Sequence, residues 1–223
     1  EENFRKSLGN LEEYELTTAF RAPKELADAM KGLLEGKRVK VPQHYDFRIF
    51  SEIEEMLKEL SALYSKGKKV ALICAFTESE GDSKRPTDWN SIKNIRLGYP
   101  LQSGFDLYKG KSLRIKWLMD EKTEYPKYWR GELPPLQYCA SVYGSQGLEA
   151  EYVGVIWGRD LIWRGEWTFD PDPIMDRVGG ANSLKSLASR CKNGTKRCDR
   201  EKVITLLKNR YYIMLTRGMR GTF

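Results

Sequence analysis

Arg217 is a residue that could act on a phosphate group, because it comes just after the apolar run 211–215. If that run is a strand of a parallel sheet, Arg217 lies at the carboxyl end, where open α/β sheets bind ligands. A guanidinium is planar and always charged, so it can bridge phosphate oxygens in two directions. A lone arginine at a strand end is more often solvated or salt-bridged, so the surrounding sequence must support the assignment.

A second group of polar residues surrounds a predicted turn. The turn contains Gln146, Gly147, Leu148 and Glu149, and three hydroxyl side chains precede it: Ser141, Tyr143 and Ser145. Gly147 allows the backbone to turn closely where a side chain would collide. The hydroxyl and backbone N–H groups of this segment could position a phosphate chain. The alternative is a plain strand–turn–helix connection with Ser145 or Gln146 as the helix cap.

Three stretches, taken together, are similar to motifs IV, V and VI of superfamily 1 helicases. They are LTTAFRAP (16–23), ASVYGSQGLEAEYVGVIWGRDL (140–161) and NRYYIMLTRGMRG (209–221). The wider spacing, with VGVIWGRDL and LTRGMRGTF, most resembles the helicase domain of Schlafen-group proteins and a related prokaryotic family. The resemblance spans residues 16–223, and motifs V and VI are its specific part.

The resemblance implies a RecA-like motor half whose residues reach ATP held by another half. Arg217 is then an arginine finger toward the γ-phosphate, and Arg21 is the second arginine at that phosphate. The implied nucleotide-binding residues are Gln146, Gly147 and Glu149, with Glu149 near the sugar. The implied nucleic-acid contacts are Ser141, Tyr143 and Ser145, although Tyr143 stands where related motors often have a histidine.

The sequence contains no phosphate-binding P-loop. The nearest candidate, residues 104–112, has five residues between its glycines instead of four, and a strand is predicted after it where a helix must begin. No predicted strand ends in paired carboxylates for magnesium, and Asp170-Pro171-Asp172 is typical of a turn. We therefore expect ATP and Mg²⁺ only together with an N-terminal P-loop domain, and no hydrolysis by this chain alone. The abrupt ends of the sequence favour a fragment of a longer protein.

The cysteines and the single histidine do not indicate a metal site or a nucleophilic catalyst. Cys74 and Cys139 lie in apolar runs and are predicted to be buried thiols. Cys191 and Cys198 are spaced more widely than the usual zinc-binding pairs, and His44 is distant in the sequence. A disulfide between Cys191 and Cys198 stays open, although a reducing compartment disfavours it.

Strands and helices alternate along the chain and would position these residues. Strands are predicted at residues 14–18, 45–50, 70–76, 113–118, 138–143, 152–157 and 211–215. Helices are predicted at 24–34, 52–66 and about 200–208, the second opened by a capping box of Ser51 and Glu54. This alternation predicts an α/β fold with a mostly parallel sheet flanked by helices, which the resemblance makes RecA-like. We expect a single domain over 1–223 with two irregular insertions, about 77–112 and 158–198.

The net charge of +7 and the pI of about 9.1 favour a polyanionic partner. Five tryptophans interleaved with basic residues could stack on bases: Trp117, Trp129, Trp157, Trp163 and Trp167. Trp117 and Trp157 lie in predicted strands, where burial in the core is the stronger alternative. No apolar run approaches the roughly 20 residues that cross a bilayer, so we expect a cytoplasmic protein without a membrane partner.

The leading hypothesis is the second motor domain of an ATP-dependent helicase or translocase on DNA or RNA, with single strands as the preferred ligand. The alternative is a non-catalytic RecA-like module that binds nucleic acid or a protein without contacting ATP. A P-loop sequence upstream in the gene product would favour the motor.

Overall fold

A computed structural model describes residues 22–75, 106–109, 114–117, 124–158, 160–172, 174, 176 and 179–223. The described helices are α1 (Lys24–Leu34), α2 (Ile53–Ser65), α3 (Glu124–Trp129), α4 (Leu184–Lys192) and α5 (Arg200–Leu215). The described strands are β1 (Asp46–Phe47), β2 (Val70–Cys74), β3 (Asp106–Lys109), β4 (Arg114–Trp117), β5 (Tyr138–Ser141), β6 (Ala150–Ile156), β7 (Ile162–Trp163), β8 (Trp167–Thr168) and β9 (Gly218–Thr222). The predicted strand 14–18 lies outside these residues.

The main sheet of the described chain has seven strands in the order β1-β9-β6-β2-β5-β4-β3. In this spatial order, the first six strands, β1 through β4, are each parallel to their neighbours. The last strand in the order, β3, is at the edge and is antiparallel to β4. β2 pairs with β6 along its whole length, from Val70 opposite Tyr152 to Cys74 opposite Ile156. The predicted α/β fold with a mostly parallel sheet is confirmed.

The sheet has a hydrophobic cluster on each face, because successive side chains of a strand point to opposite sides. On one face, Leu72 and Cys74 of β2 pack with Met56, Leu57 and Leu60 of α2. On the other face, alternate residues of β2 pack with helices α1, α4 and α5. Full burial of one leucine or methionine contributes about 1.5–3 kcal/mol to folding, so both layers stabilise the sheet.

Helix α1 has the bounds that its sequence predicts, and its buried stripe includes Leu26, Met30 and Leu34. Helix α2 begins one residue later than predicted. Its N-cap is Glu52, which makes no side-chain capping hydrogen bond. The predicted capping box of Ser51 and Glu54 is therefore wrong, because Glu52 still has extended backbone angles and Ser51 lies outside the cap position.

The prediction of a final strand at 211–215 is wrong, because these residues continue helix α5. Tyr211, Met214 and Leu215 are buried at the i, i+3 and i+4 spacing of a helix face. A short apolar run fits a buried strand and a buried helix equally well. The last strand, β9, starts only at Gly218, so Arg217 precedes a strand instead of following one.

The described parts of the two predicted insertions contain regular structure. The stretch 158–198 includes an antiparallel pair, β7 and β8, and the nine-residue helix α4. Strand β3 falls within 77–112, and most of that stretch lies outside the described residues. Helix α3, which was not predicted, precedes β5. No helix among the described residues is long and apolar enough to cross a membrane.

Candidate functional site

The amino-terminal edge of strands β6 and β9 brings together two predicted groups of site residues. Ala150, the first residue of β6, pairs with Gly218, the first residue of β9. Glu149 and Arg217 directly precede these paired residues. Glu149 is exposed and Arg217 is half-buried. The nucleotide-binding and arginine-finger candidates therefore share one edge of two neighbouring strands.

This edge is not the one that the sequence predicted for Arg217. The carboxyl end of a strand was expected, but Arg217 follows helix α5 and lies at the amino end of β9. Its backbone N–H donates to the carbonyl of Met214 at 3.2 Å, which completes the last turn of the helix. The prediction that Arg217 follows a strand is therefore wrong, and the pairing of β6 with β9 is what brings Arg217 near the 146–149 turn.

The 142–149 loop crosses from the carboxyl end of β5 to the amino end of β6, and two buried serines stabilise it. Ser141 Oγ accepts the N–H of Gly144 at 3.0 Å and is hydrogen-bonded to the hydroxyl of Tyr125 at 3.0 Å. Ser145 Oγ donates to the carbonyl of Val142 at 2.7 Å. Both hydroxyls are thus engaged inside the protein. The alternative of a strand–turn–helix connection capped by Ser145 or Gln146 is wrong, because the turn leads directly into strand β6. A phosphate contact by either would require these bonds to open.

Helix α3 packs directly on the 142–149 loop. A side chain on Gly144 would collide with the ring of Tyr125. Burial raises the pKa of Tyr125 to about 12, so its hydroxyl stays protonated. Gly147 has a φ of +86°, which side-chain-bearing residues rarely adopt. Gln146 and Gly147 are exposed at the apex, so the loop presents backbone and amide groups there.

Tyr143 belongs to a charged cluster at the opposite, carboxyl-terminal edge of the sheet. Its hydroxyl donates to Asp176 Oδ2 at 2.9 Å and accepts from Arg210 Nη2 at 3.3 Å. Arg210 also forms an ion pair with Asp176, and its Nη1 donates at 3.3 Å to the carbonyl of Ala75, just beyond β2. The side chains of Arg210 and Asp176 are 14% and 2% exposed. Burial lowers the pKa of Arg210, and its negatively charged and hydroxyl neighbours oppose this effect.

Tyr211, which follows Arg210 in α5, forms hydrogen bonds with the segment that follows β6. Its hydroxyl donates to Asp160 Oδ1 at 2.7 Å and accepts the N–H of Gly158 at 2.9 Å. Trp157 stacks on the Tyr211 ring with centroids 3.8 Å apart. Burial raises the pKa of Asp160, while the hydrogen bond from Tyr211 lowers it. Helix α5 therefore binds the loops that leave β2, β5 and β6.

Comparison with known protein families assigns the chain. The sequence model of the Schlafen group 3, DNA/RNA helicase domain matches residues 2–223. The chain belongs to this family. No curated protein and no solved structure matches it. Membership of a DNA/RNA helicase domain family implies a helicase-like role and an association with nucleic acid.

Other predictions for this helicase domain have mixed outcomes. Arg21 lies outside the described residues. Cys74 and Cys139 are buried as predicted, and Cys191 and Cys198 form the disulfide that the sequence had left open. Asp170 Oδ1 accepts the N–H of Asp172 at 3.0 Å in a local turn. Within the described residues, no three His, Cys, Asp or Glu side chains are grouped to hold a metal ion.

The structure describes the side chains of four tryptophans of the helicase domain, and each of them packs against another aromatic ring. Trp157 was expected in the core, but it is 38% exposed at the end of β6. Trp163 is 48% exposed and packs over Gly36 and edge-on to Trp167, with centroids 5.2 Å apart. Trp129 is 41% exposed beside the 142–149 loop. Exposure alone therefore does not single out one stacking residue.

Arg210, Asp176 and Asp160 are the site residues of the helicase domain that the sequence did not identify. Arg210 and Asp160 lie inside the segments that carry the helicase resemblance, so their charges next to apolar runs were an available signal. Asp176 lies in the stretch expected to be irregular, and no local pattern marks it. Only the fold shows that these three residues approach one another.

Proposed function

We propose that this helicase domain is the second motor domain of an ATP-dependent helicase or translocase. The observation that carries the proposal is the shared edge of β6 and β9, where Arg217 and the 146–149 turn meet. ATP would lie between this edge and a separate P-loop half. That half would provide the phosphate-binding loop, which the present sequence lacks, and the Mg²⁺ site.

Arg217 suits the role of an arginine finger in this arrangement. It is half-buried at the end of α5, so its backbone position is fixed by the helix and by β9. A fixed guanidinium can stabilise the negative charge that shifts on the transferring phosphoryl group. Arg21 would act beside it, as the resemblance implies. Glu149 is exposed next to the same edge and would contact the nucleotide sugar.

The 142–149 loop would contact DNA or RNA, preferably as a single strand. Tyr143, near the start of the loop, is 37% exposed. The net charge of +7 provides the long-range attraction to phosphates. Because the hydroxyls of Ser141 and Ser145 are buried, these serines would act mainly by fixing the loop, and the exposed Tyr143 would make the contact.

Nucleic-acid binding by the purified chain tests this proposal. We expect a labelled single-stranded oligonucleotide to bind, and the logarithm of its binding constant should fall linearly with the logarithm of salt concentration. Three phosphate contacts would weaken binding about 10- to 20-fold between about 50 and about 200 mM salt. Fluorescence anisotropy at several salt concentrations measures this slope, and a duplex of the same sequence tests the preference for single strands. Absence of binding at low salt would contradict the proposal.

The isolated chain should show no ATP hydrolysis, with or without nucleic acid. The physical reason is that a finger cannot act without a bound and oriented γ-phosphate, which the P-loop and Mg²⁺ would supply. Phosphate release measured with saturating oligonucleotide checks this expectation. Steady, nucleic-acid-stimulated turnover by the pure chain would show that it contains a complete ATP site, and the second-domain assignment would then fail.

A further inference from the structure

Trp129, the last residue of α3, is held in a fixed orientation beside the 142–149 loop. Its Nε1 donates to the carbonyl of Gly144 at 2.8 Å. Its ring stacks on Tyr125, with centroids 6.0 Å apart and an interplanar angle of 15°. Tyr125 is itself buried and hydrogen-bonded to Ser141. The indole is therefore oriented from its polar edge and from one side, while 41% of the residue stays exposed.

The approach to the exposed indole is open, and a lysine lies near the indole in the sequence. Gly147 lies next to the ring, and a Cβ at this position would be 3.9 Å from the indole. Because glycine has no side chain, the approach to the ring is not covered by residue 147. Lys127 is exposed two residues before Trp129, whereas the exposed Arg130 is ion-paired with Glu132. An aromatic ring beside a cation is the combination that binds unpaired bases and their phosphates.

We propose that Trp129 is a stacking platform for one unpaired base of a single strand that crosses the 142–149 loop. This inference rests on the proposed nucleic-acid binding and specifies a contact within it. A base in a duplex is already stacked between its neighbours, so the platform selects single strands. A ring that is oriented before binding loses little conformational entropy when a base stacks on it.

The experiment compares oligonucleotides with and without bases. The probes are a fluorescein-labelled single-stranded oligothymidylate and the same strand with abasic sites, and anisotropy gives the affinity of each. The variants are Trp129→Ala, Trp129→Phe and Trp163→Ala. Trp163 is the matched control because it is also an exposed tryptophan, at 48%, but lies on the β7–β8 pair.

We expect Trp129→Ala to weaken binding of oligothymidylate by about 10- to 100-fold, the range of one base–aromatic stack. Trp129→Phe keeps a smaller ring and should lose less, and Trp163→Ala should bind like the parent. On the abasic strand, the parent and Trp129→Ala should bind equally. This last comparison separates stacking from a structural role, because a distorted loop would weaken binding to both strands.

Two results would overturn the platform while leaving the proposed function intact. One is an unchanged affinity of Trp129→Ala for oligothymidylate, and the other is an equal loss on the abasic strand. If the parent chain binds no oligonucleotide at all, the proposed nucleic-acid binding fails and the platform fails with it. Thermal unfolding of both Trp129 variants, followed by circular dichroism, identifies any variant that has lost its fold, and Trp129→Phe then decides the outcome.

Discussion

Arg217→Ala should lower the rate of ATP hydrolysis by about 10³- to 10⁵-fold in a protein that joins this domain to a P-loop half, the effect known for arginine fingers. Nucleotide affinity should change little, because the finger acts mainly on charge that develops in the transition state. Arg217→Lys should restore little activity, since a point charge cannot replace the planar fork of a guanidinium. Measurement of kcat and of nucleotide Kd for each variant checks the expectation.

Arg220 provides the matched control for this experiment. Its Nε lies 3.0 Å from Glu151 Oε1, and its side chain is 61% exposed. Exposed ion pairs contribute only about 0–1 kcal/mol, so Arg220→Ala should keep both the fold and the rate of hydrolysis. If Arg217→Ala hydrolyses ATP as fast as Arg220→Ala does, Arg217 is not the finger. Nucleic-acid binding without that finger would instead favour the non-catalytic module.

Asp176→Asn should destabilise the isolated chain by about 3–5 kcal/mol, because it removes the carboxylate that forms an ion pair with the largely buried Arg210. The change is nearly isosteric, so the loss reports charge and not volume. A domain with a total stability of about 5–15 kcal/mol would lose a large fraction of it. Urea denaturation followed by circular dichroism measures the change in the free energy of unfolding.

Two further variants separate the buried pair from an ordinary surface pair. Asp172 pairs with Lys192, and both side chains are more than half exposed, so Asp172→Asn should cost at most about 1 kcal/mol. Replacement of both buried partners, Arg210→Met with Asp176→Leu, should cost less than Asp176→Asn alone, because no uncompensated charge remains. If Asp176→Asn and Asp172→Asn lower the free energy of unfolding equally, the buried pair stabilises the chain no more than the surface pair does.

The fold was predictable where each element has a strong local pattern. Helix α1 has a proline at its start and a regular apolar stripe, and the apolar strands β2 and β6 were found at almost their observed bounds. The 211–215 run was misassigned because five apolar residues fit both periodicities. Helix α3 was missed because it is only six residues long and is held by the tertiary contacts of its aromatic residues.

The candidate site was predictable only as a set of sequence segments. The motif resemblance selected Arg217 and the 146–149 turn, and the pairing of β6 with β9 then brought them to one edge. The cluster around Arg210 could not be predicted, since Asp176 lies 34 residues before Arg210 in the sequence and 33 after Tyr143. Contacts between such distant positions depend on the completed sheet.

Helix α5 and the 142–149 loop both run from the carboxyl-terminal edge of the sheet toward its amino-terminal edge. They are joined by the hydrogen bond between Arg210 and Tyr143. At the amino-terminal edge, Arg217 and Glu149 precede paired strands. Arg210 lies seven residues before Arg217, or about 10 Å along a helix by its rise per residue. A movement of Arg217 toward a phosphate would therefore be transmitted through about two turns of one helix to the residue that holds Tyr143 in place.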